Sequence, residues 1–415
     1  MNGLLERYEP HAGSEEISLL RQMAKPLEGK TLVHVNSTRV GGGVAEILQR
    51  LVPLQQELGI RSSWEVIEGD EGFFQATKTF HNTLQGMPSP FTESMREAYE
   101  DANRRNAERL RDLLEGADYV FIHDPQPAML HSLCPNRRGK WIWRCHIDVS
   151  NPVPGVWRYV RHWVKGYDAS IFSLPDFAQP LPHTQYLIPP CIDPISEKNL
   201  PLEEREIGRL LAPFDLDPDL PLILQVSRFD RFKDPIGVIR ACERAALTDP
   251  LQLVLAGGSA DDDPEGALVL EEVRAAARDL PFVKLLVLPP DAHRTINALQ
   301  RAATVVFQKS LREGFGLTVA EALWKERPVI GGDVGGIRLQ VLDGRTGYRV
   351  RTPEGAALRL LDLLHHPEER NAMGAAGREH VREHFLMTRL LRNHLALLLS
   401  LEAGDAERLE VYAGP

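Results

Sequence analysis

The sequence predicts an α/β protein made of two doubly wound domains, each with a parallel sheet covered by helices. Three observations predict it: apolar or β-branched segments alternate with helical segments, glycine-rich turns follow strand segments, and a proline-rich stretch lies near the middle. Strand–helix alternation is typical of parallel sheets, because a crossover must carry the chain back before the next parallel strand begins. In such sheets ligands bind at the carboxyl ends of the strands.

Length and composition place the chain among soluble globular proteins. Its 415 residues are enough for two or three domains, and its hydrophobic content of 43% and charged content of 26% are ordinary for such proteins. The first residues lack the basic and apolar regions of a secretory signal, and no run reaches the about 18 apolar residues that a membrane span needs. We therefore expect a cytoplasmic protein with no membrane partner.

Cysteine usage and net charge restrict the partners further. The four cysteines have no C-x-x-C spacing, which favours reduced core thiols over a disulfide or zinc framework. They are Cys134, Cys145, Cys191 and Cys242. The formal net charge of −10 disfavours nucleic acid as a partner. An anionic small molecule is compatible with this charge, because its site depends on local cations.

The first half of the chain predicts one parallel sheet. Apolar and β-branched runs give the candidate strands 31–36, 64–67, 119–123, 141–146 and 169–173. Segments with helical spacing between them include 44–58, 93–114 and 157–167.

The second half repeats the alternation and predicts the second sheet. Its candidate strands are 222–226, 251–256, 283–288, 304–307 and 329–331. Its candidate helices lie near 235–246, 265–278, 294–302 and 319–325.

The boundary between the two domains is predicted in the proline-rich segment 188–194, which is rigid and cannot form an ordinary helix. Residues 367–402 are helical and alternate charged with apolar residues, so they are long enough to leave the second domain and pack on the first. We therefore predict an N-terminal domain at 1–190, a second domain at 191–375, and C-terminal helices at 376–415 that cross back.

The stretch from Glu313 to Glu321 is the most informative motif. It follows an apolar strand and places one carboxylate in a glycine-rich loop and the other on the next helix. Gly314 and Gly316 allow a sharp turn that leaves backbone N–H groups uncovered. Thr318 is predicted to open the helix, whose N-terminus favours anions. Together these features predict a phosphate site with an acid beside it.

The competing interpretation of the same stretch is a capping box. Thr318 and Glu321 have the S/T-x-x-E spacing of this motif, which needs no ligand. A capping box accounts for Glu321 but leaves Glu313 and the two glycines without a reason.

A second candidate phosphate site follows strand 222–226. Arg228 leaves the strand tip, and Lys233 precedes a helix that begins with Asp234 as N-cap and Pro235 as the first helical residue. A guanidinium and an ammonium at one sheet edge suit a diphosphate. The alternative is a solvated basic loop, which is the interpretation we favour for Arg231.

Glycines also follow the first strand. Gly41, Gly42 and Gly43 open a helix and offer N–H groups to a phosphate or a closely approaching substrate. The spacing is not G-x-G-x-x-G and no P-loop lysine follows, so a tight turn would explain the triplet equally well.

Together these residues resemble the GT-B glycosyltransferases, specifically the retaining family that contains sucrose synthases, glycogen synthases of bacterial relatives and trehalose-forming enzymes. The resemblance covers nearly the whole chain, and it lies in the Glu313–Glu321 spacing with the upstream Arg228 and Lys233. The more specific strings are His34-Val35-Asn36-Ser37, His123-Asp124-Pro125-Gln126-Pro127, Trp143-Arg144-Cys145-His146-Ile147-Asp148 and Gln308-Lys309-Ser310-Leu311-Arg312-Glu313-Gly314-Phe315-Gly316. It implies two Rossmann-like domains that face a central cleft.

The resemblance also implies roles for individual residues. The residues implied to be catalytic are Arg228, Lys233, Glu313 and His146. Those implied to bind the nucleotide sugar are Gly42, Gly43, Arg228, Lys233, Leu288, Glu313, Gly314, Phe315, Gly316, Leu317, Thr318 and Glu321. Those implied to bind the acceptor are Asn36, Asp124, His146 and Asp148.

Two of these residues also have structural interpretations. A histidine at a strand end, such as His146, is more often a structural hydrogen-bonding group than a ligand. Asp124, before a proline, is typical of a turn. The resemblance favours a sugar ligand at both positions.

The implied reaction is glucose transfer from a nucleoside-diphosphate-glucose, ADP- or UDP-glucose, to free glucose, which reversibly forms α,α-trehalose. Double displacement would need a carboxylate nucleophile, and no such group stands out in the first half. The resemblance instead implies front-face attack, with Glu313 as an electrostatic and positioning group. A retaining trehalose phosphorylase and a non-catalytic nucleotide-sugar-binding protein stay open as alternatives.

The expected partners are small molecules: a nucleotide-glucose, glucose and trehalose. No cofactor and no essential metal are expected, and Asp261-Asp262-Asp263, which looks like a D-x-D metal motif, is interpreted as a solvated turn before a helix. Exposed helices on the N-terminal domain could support a homodimer. The nucleotide base is left open, since the resemblance puts base contacts after Leu288 and largely on the backbone.

Overall fold

The computed structural model describes residues 3–39, 42–258 and 264–404. The chain divides into two compact units, one formed by Met1–Cys191 with Met387–Pro415 and the other by Ile192–Leu386. The observed division falls at Cys191–Ile192 and at Leu386–Met387. The sequence analysis put the corresponding boundaries after residues 190 and 375.

The first unit is built on a six-stranded sheet in which every recorded strand pair is parallel. Its strands are β1 (Thr31–Asn36), β2 (Arg61–Val66), β3 (Tyr119–His123), β4 (Lys140–Arg144), β5 (Ala169–Phe172) and β6 (Thr184–Leu187). The strand order is β2-β1-β3-β4-β5-β6, so the direction of winding reverses between β1 and β3. Such a reversal opens a crevice at the carboxyl ends of those two strands.

The helices of the first unit alternate with these strands. They are α1 (Glu9–Ala12), α2 (Ser14–Ala24), α3 (Gly43–Glu57), α4 (Glu71–Leu84), α5 (Glu93–Gly116), α6 (Leu130–Leu133) and α7 (Pro154–Val164). Side-chain caps set two of the starts, because Asp70 accepts a hydrogen bond from the backbone of α4 and Thr92 accepts one from α5.

The second unit has a six-stranded sheet of the same kind. Its strands are β7 (Leu222–Val226), β8 (Gln252–Gly258), β9 (Val283–Leu288), β10 (Val305–Gln308), β11 (Val329–Gly332) and β12 (Gly347–Val350). The order is β12-β11-β10-β7-β8-β9 with parallel pairing, so the winding reverses between β7 and β10. This reversal puts the crevice of the second sheet at the carboxyl ends of β7 and β10.

The helices of the second unit cover both faces of its sheet. They are α8 (Glu204–Leu211), α9 (Pro235–Ala246), α10 (Pro264–Ala277), α11 (His293–Ala302), α12 (Leu317–Trp324), α13 (Ile337–Gln340), α14 (Pro353–His365) and α15 (Pro367–His384). Two buried apolar clusters, one around Leu224 and Val306 and one around Ile223 and Phe307, fill the two faces. Alternate residues of one strand therefore serve opposite faces, as strand geometry requires.

The predicted C-terminal helical stretch 367–402 is two helices rather than one. The helix α15 ends at His384, and α16 (Met387–Ala403) begins after a short break and belongs to the first unit, where it packs on α2 and α3. Just before the break, the carbonyl of Phe385 accepts a hydrogen bond from the backbone N–H of Ile192, within the second unit.

The predicted α/β class with two parallel, doubly wound sheets is confirmed. Of the twelve strands in the described residues, ten correspond to predicted segments, and β6 and β12 do not. Both lie at a sheet edge, and each has only four residues. Short edge strands carry little apolar periodicity, so sequence patterning does not mark them.

All four cysteines lie in the described residues, where they are buried thiols outside any disulfide, as the sequence analysis predicted. Within the described ranges, none of the helices combines the length and apolar character needed to cross a membrane.

Candidate functional site

The glycine loop of the second unit follows β10 and leads into α12. Gly316 has a φ of 83°, in the left-handed region that favours glycine, and it is the N-cap residue of α12. The helix begins at Leu317, one residue before the predicted start at Thr318. Its first N–H groups therefore lie in the loop, where an anion would be favoured.

The capping-box interpretation is wrong for this stretch. The N-cap is Gly316, which has no side chain to cap with, and the hydroxyl of Thr318 donates instead to Oε1 of Gln308 at 3.2 Å. Glu321 is 3% exposed, and its Oε2 accepts a hydrogen bond of 3.4 Å from Gln300. Glu321 is thus a buried carboxylate on the first turns of α12 that capping does not explain.

An ion pair joins the two predicted motifs of the second unit. Nζ of Lys233 lies 2.6 Å from Oε2 of Glu313, with side chains 17% and 9% exposed. The same carboxylate oxygen accepts hydrogen bonds from Gln308 Nε2 at 3.2 Å and Ser310 Oγ at 3.1 Å. These four residues lie at the carboxyl ends of β7 and β10, where the winding of the sheet reverses.

Arg228 and Lys233 have different partners, although both lie in the segment between β7 and α9. Arg228 is exposed, and its guanidinium lies 3.4 Å from Oδ2 of Asp230. Asp234 is the N-cap of α9 as predicted, followed by Pro235, and its carboxylate also pairs with the buried ammonium of Lys309. The exposed guanidinium of Arg228 is the more accessible of the two predicted phosphate ligands.

Two further glycines let other backbone segments approach the glycine loop. A Cβ on Gly336 would lie 2.4 Å from Cα of Phe315 and 2.7 Å from the carbonyl oxygen of Gly314. A Cβ on Gly332 would lie 2.1 Å from the carbonyl oxygen of Ser310. The loop from Ser310 to Phe315 is therefore held by backbone contacts that no larger residue at these positions permits.

The remaining predicted nucleotide-sugar residues divide into buried and accessible positions. Phe315 is buried against Phe385, with ring centroids 5.4 Å apart, and its carbonyl accepts from Gln340 at 2.6 Å. Leu288 is buried at the end of the edge strand β9. Contacts from these two positions to a nucleotide would come chiefly from the backbone.

The predicted sugar residues of the first unit lie at the ends of β1, β3 and β4. Asn36 ends β1, where its amide donates to the carbonyl of Thr38 at 2.7 Å and accepts from Trp64 Nε1 at 2.8 Å. Oδ1 of Asp148 accepts two hydrogen bonds from Ser150, which closes a turn after β4. Both side chains thus already have structural partners.

Asp124 holds the turn after β3 in an uncommon conformation. Its φ is 63°, and its Oδ1 accepts a 2.7 Å hydrogen bond from the backbone N–H of His146. Burial raises the pKa of its carboxyl to about 6, although the His146 N–H and the charge of Arg144 act in the opposite direction. The strand β4 ends at Arg144, so His146 lies in the loop after the strand, where Asp124 orients its backbone.

His146 is the outer member of a row of buried histidines. Its Nε2 lies 3.0 Å from Nδ1 of His123, and Nε2 of His123 lies 3.0 Å from Nδ1 of His34. Burial lowers the pKa of His34 to about 4 and lowers the pKa of His123 and His146 well below the usual value. All three rings are therefore neutral at physiological pH.

The sequence analysis gave no role to several residues of these clusters, namely Gln308, Lys309, Ser310, His34, His123 and Gln55. A signal for the histidines is present in the sequence: His34, His123 and His146 lie near the ends of β1, β3 and β4. Those strands are neighbours, so their ends meet at one sheet edge. No comparable signal marks the two glutamines, whose burial the sequence does not indicate because glutamine is mostly an exposed residue.

Two predicted features, the glycine triplet and the aspartate run, lie in part or wholly outside the described residues. Gly41 is outside them, whereas Gly42 has a φ of 83° as the N-cap of α3 and Gly43 begins that helix. Asp261, Asp262 and Asp263 are also outside them. Across the described residues, His, Cys, Asp and Glu side chains form no group of three or more that could hold a metal ion.

Two protein-family models match the chain. The model described as "Trehalose synthase, N-terminal domain" matches residues 34–179, and the model "Glycosyl transferases group 1" matches residues 209–380. The first match contains the histidine row apart from its contacts with α16, and the second contains Lys233, Glu313 and Glu321.

Curated proteins similar to the chain include several trehalose synthases. That of Pyrococcus horikoshii is 47% identical over 96% of this chain and 96% of its own length. That of Rubrobacter xylanophilus is 42% identical over 92% of this chain and 93% of its own length. A trehalose phosphorylase from Pleurotus pulmonarius is more distant, at 27% identity over 91% of this chain and 58% of its own length.

Solved structures with the same fold are more remote in sequence. A sucrose-phosphate synthase from Thermosynechococcus elongatus superposes with a TM-score of 0.72 at 19% identity, covering 91% of this chain and 100% of that chain. A UDP-forming α,α-trehalose-phosphate synthase from Burkholderia xenovorans gives 0.72 at 16% identity, covering 90% and 99%. These neighbours support the GT-B fold. With the identities above, they show that the chain is a glycosyltransferase enzyme and belongs to the trehalose synthase family.

Proposed function

We propose that this glycosyltransferase moves glucose from a nucleoside-diphosphate-glucose, ADP- or UDP-glucose, to free glucose and so forms α,α-trehalose reversibly. The observation that carries the proposal is the position of Lys233 and Glu313, 2.6 Å apart at the winding reversal of the second sheet. The high identity to proteins named trehalose synthases supports the sugar product.

The second unit supplies the groups that a nucleoside diphosphate needs. When the bond between the anomeric carbon and the phosphate oxygen breaks, negative charge grows on the diphosphate. Lys233, Arg228 and the first backbone N–H groups of α12 would stabilise that charge, because they are already oriented before the reaction. The buried carboxylate of Glu321 would accept hydrogen bonds from the ribose hydroxyls.

Glu313 is proposed to act as a positioning and electrostatic group for the donor sugar. Its Oε2 already accepts from Lys233, Gln308 and Ser310. A carboxylate oxygen that already accepts from three donors is a poor nucleophile, because those donors hold its lone pairs. The reaction would then proceed by front-face attack: the acceptor oxygen bonds to the anomeric carbon as the phosphate oxygen departs, and that oxygen takes the acceptor's proton.

The first unit is proposed to contact sugar hydroxyls through Asp124, His146 and Asp148. These side chains lie in loops that leave the carboxyl ends of β3 and β4, next to the winding reversal of the first sheet. Neutral imidazole and carboxylate groups are suitable acceptors for hydroxyl hydrogens.

The experiment that tests the proposal mixes the protein with glucose and, separately, ADP-, UDP- and GDP-glucose. The expected result is a non-reducing disaccharide with both anomeric carbons in the α configuration by NMR, together with the matching nucleoside diphosphate. Hydrolysis of the donor without any disaccharide, for all three donors, would contradict the proposal.

A second arm tests the alternative of a trehalose phosphorylase, which the distant relatives raise. Trehalose is incubated with inorganic phosphate and no nucleotide, and then with each nucleoside diphosphate and no phosphate. We expect glucose release only with a nucleoside diphosphate. Release that depends on phosphate alone would replace the proposed donor by glucose 1-phosphate.

A further inference from the structure

The buried histidine row of the first unit continues beyond His34 to a glutamine. Nε2 of His34 lies 3.1 Å from Oε1 of Gln55, which also accepts a 2.7 Å hydrogen bond from the hydroxyl of Ser62. Gln55 is on α3 and Ser62 is on β2. The complete chain of hydrogen bonds therefore runs from Ser62 through Gln55, His34 and His123 to His146, and all of it lies within one unit.

The direction of every hydrogen bond in this chain follows from its glutamine end. An amide oxygen only accepts, so Nε2 of His34 carries the hydrogen and, in a neutral ring, Nδ1 of His34 accepts. Nε2 of His123 must then donate to it, which leaves Nδ1 of His123 as the acceptor for Nε2–H of His146. By the same rule, Nδ1 of His146 has a lone pair and no hydrogen.

The other end of this hydrogen-bonded row, at His146, is open to a ligand. Among the described residues, no hydrogen bond is made by Nδ1 of His146, which lies in the loop after β4 beside Asp124. A lone pair there can accept a hydrogen bond from a hydroxyl group, whereas an N–H at the same place could only donate. The tautomer of His146 therefore decides which substrate groups it recognises.

We infer that Gln55, acting through His34 and His123, is a positioning group that fixes His146 as the Nε2–H tautomer and so presents Nδ1 as an acceptor for a sugar hydroxyl. This inference rests on the proposed function for the identity of the ligand, but its structural part concerns the protein alone. The two residues at the ends of this row, Gln55 and His146, are far apart in the sequence, because they belong to different crossovers of the sheet.

Neutrality of the three rings is required for this transmission. A ring with both nitrogens protonated would donate from both and reverse the bond next to it. Burial keeps the rings neutral, and the nearby positive charge of Arg144 acts in the same direction on His123 and His146. The fourth buried ring of this region, His394 on α16, stacks on Phe121 and faces His34 at 6.5 Å between centroids. It is in contact with the row but adds no hydrogen bond to it among the described residues.

The first test observes the tautomer directly in the ligand-free protein labelled with 15N at histidine. One-bond N–H couplings separate protonated from unprotonated ring nitrogens, and the spectrum of a His146→Phe variant identifies the signals of His146. We expect a protonated Nε2 and an unprotonated Nδ1. A protonated Nδ1 would mean that the amide of Gln55 faces the other way and would overturn the inference. This result does not depend on whether trehalose is formed.

The second test removes the amide of Gln55, which sets the direction of the hydrogen bonds along the histidine row. Gln55→Met replaces the amide by a side chain of similar length with no oxygen, and Ser62→Ala removes only the second partner of that oxygen. In Gln55→Met we expect the His146 signals to show a mixture of both tautomers. We also expect kcat/KM to fall by roughly tenfold, the loss of one selective hydrogen bond. Ser62→Ala should shift the same signals to a smaller extent.

His394→Phe is the matched control, because it alters a buried ring next to His34 without removing a hydrogen bond of the chain. Its His146 tautomer should equal that of the unaltered protein. Glucose analogues that each lack one hydroxyl complete the test. With one of them, the unaltered protein and His394→Phe should react more slowly than with glucose. In Gln55→Met the difference between that analogue and glucose should be smaller. An unchanged His146 spectrum in Gln55→Met would overturn the inference. If Gln55→Met does not fold, an unchanged spectrum in Ser62→Ala would overturn it.

Discussion

At the residue scale, the contact between Lys233 and Glu313 organises the candidate site of the second unit. Both side chains are largely buried, and the carboxylate oxygen that pairs with the ammonium also accepts from Gln308 and Ser310. A buried pair of this kind is costly to break, because removal of one partner leaves the other charge without compensation. The pair therefore fixes the positions of two groups that the donor would contact.

Lys233→Ala should lower kcat by roughly a hundredfold, since it removes one charge that we propose stabilises the leaving diphosphate. The measurement is kcat with saturating nucleotide-glucose, with circular dichroism as the check on folding. Arg231→Ala is the matched control: this neighbouring cation is exposed and pairs with Glu272 at 2.6 Å. Its kcat should change little. Equal effects of the two substitutions would contradict the diphosphate assignment.

Glu321→Gln should weaken nucleotide binding more than it lowers kcat, because ribose contacts exist in both the ground state and the transition state. Glu313→Gln should do the reverse, since we propose that its charge lies near the reacting sugar. Calorimetric Kd values for the nucleoside diphosphate, set beside kcat, measure the difference. With capping excluded by the position of Gly316, an unchanged Kd in Glu321→Gln would leave Glu321 a structural role only.

At the element scale, the start of α12 depends on two glycines that are required for different reasons. Gly316 is required for its backbone conformation, whereas Gly336 is required for space, because its φ is −65° and a Cβ would strike the glycine loop. The motif glycines were visible in the sequence by their spacing. Gly336 was not, because the chain that it approaches is some twenty residues away.

Gly336→Ala should destabilise the second unit by at least about 1–3 kcal/mol, the range for an overpacked site, and should lower activity by displacing the loop. Gly208→Ala is the matched control. It lies inside α8 with nothing within 4 Å of its added Cβ, so it should stabilise the protein by about 0.5–1 kcal/mol. Thermal unfolding of both variants gives the comparison, and a harmless Gly336→Ala would show that the loop can move.

Lys325, the C-cap of α12, should make the free energy of unfolding depend on pH. Burial lowers the pKa of its ammonium to about 7, although Glu321 opposes this and Nζ donates to Asn199 Oδ1 and to the carbonyl of Glu321. Between pH 7 and about 10.4 the unfolded chain binds the extra proton, so the free energy of unfolding should rise with pH by up to about 1.4 kcal/mol per unit. This gain is lost as pH falls from about 10.4 to about 7, and below the folded pKa both states bind the proton and the slope disappears. Lys325→Met should lack this slope in urea titrations at pH 7, 8 and 9, and an equal slope would refute the shift.

At the scale of the whole molecule, the net charge of −10 contrasts with the local cations of the second unit. Arg228, Lys233 and Lys309 all lie in segments that follow β7 and β10. Lys233 and Lys309 are paired with Glu313 and Asp234, so the exposed guanidinium of Arg228 is the cation most accessible to a diphosphate. We propose that these cations contact the diphosphate without an essential divalent metal ion.

Glucose transfer should therefore continue after the protein and substrates are treated with EDTA and passed over a chelating resin. The expected rate is within about twofold of the untreated rate, and added Mg²⁺ should change it little. Loss of activity with EDTA, restored by Mg²⁺ or Mn²⁺, would show that the lysine and arginine charges are insufficient. Lys233→Ala assayed with added Mg²⁺ tests whether a metal can replace the missing ammonium.

Much of the fold and part of the candidate site could be predicted from the sequence. Strand β1 and helix α9 were predicted with their observed bounds, because apolar periodicity and the Asp234–Pro235 start are local signals. The Glu313–Glu321 spacing and its glycines were also local. The roles assigned to these residues stay predictions until the substitutions above are measured.

The sequence by itself determined the α/β class, the order of most strands along the chain and the family, because each depends on residues close together in the chain. Only the tertiary structure decided that Lys233 pairs with Glu313, that Gly336 supports the glycine loop, and that Gln55 connects through two histidines to His146. These contacts join residues separated by many positions, and their geometry follows from which parallel strands are neighbours. Strand order is set by the packing of whole helices on sheets, which no local pattern of residues encodes.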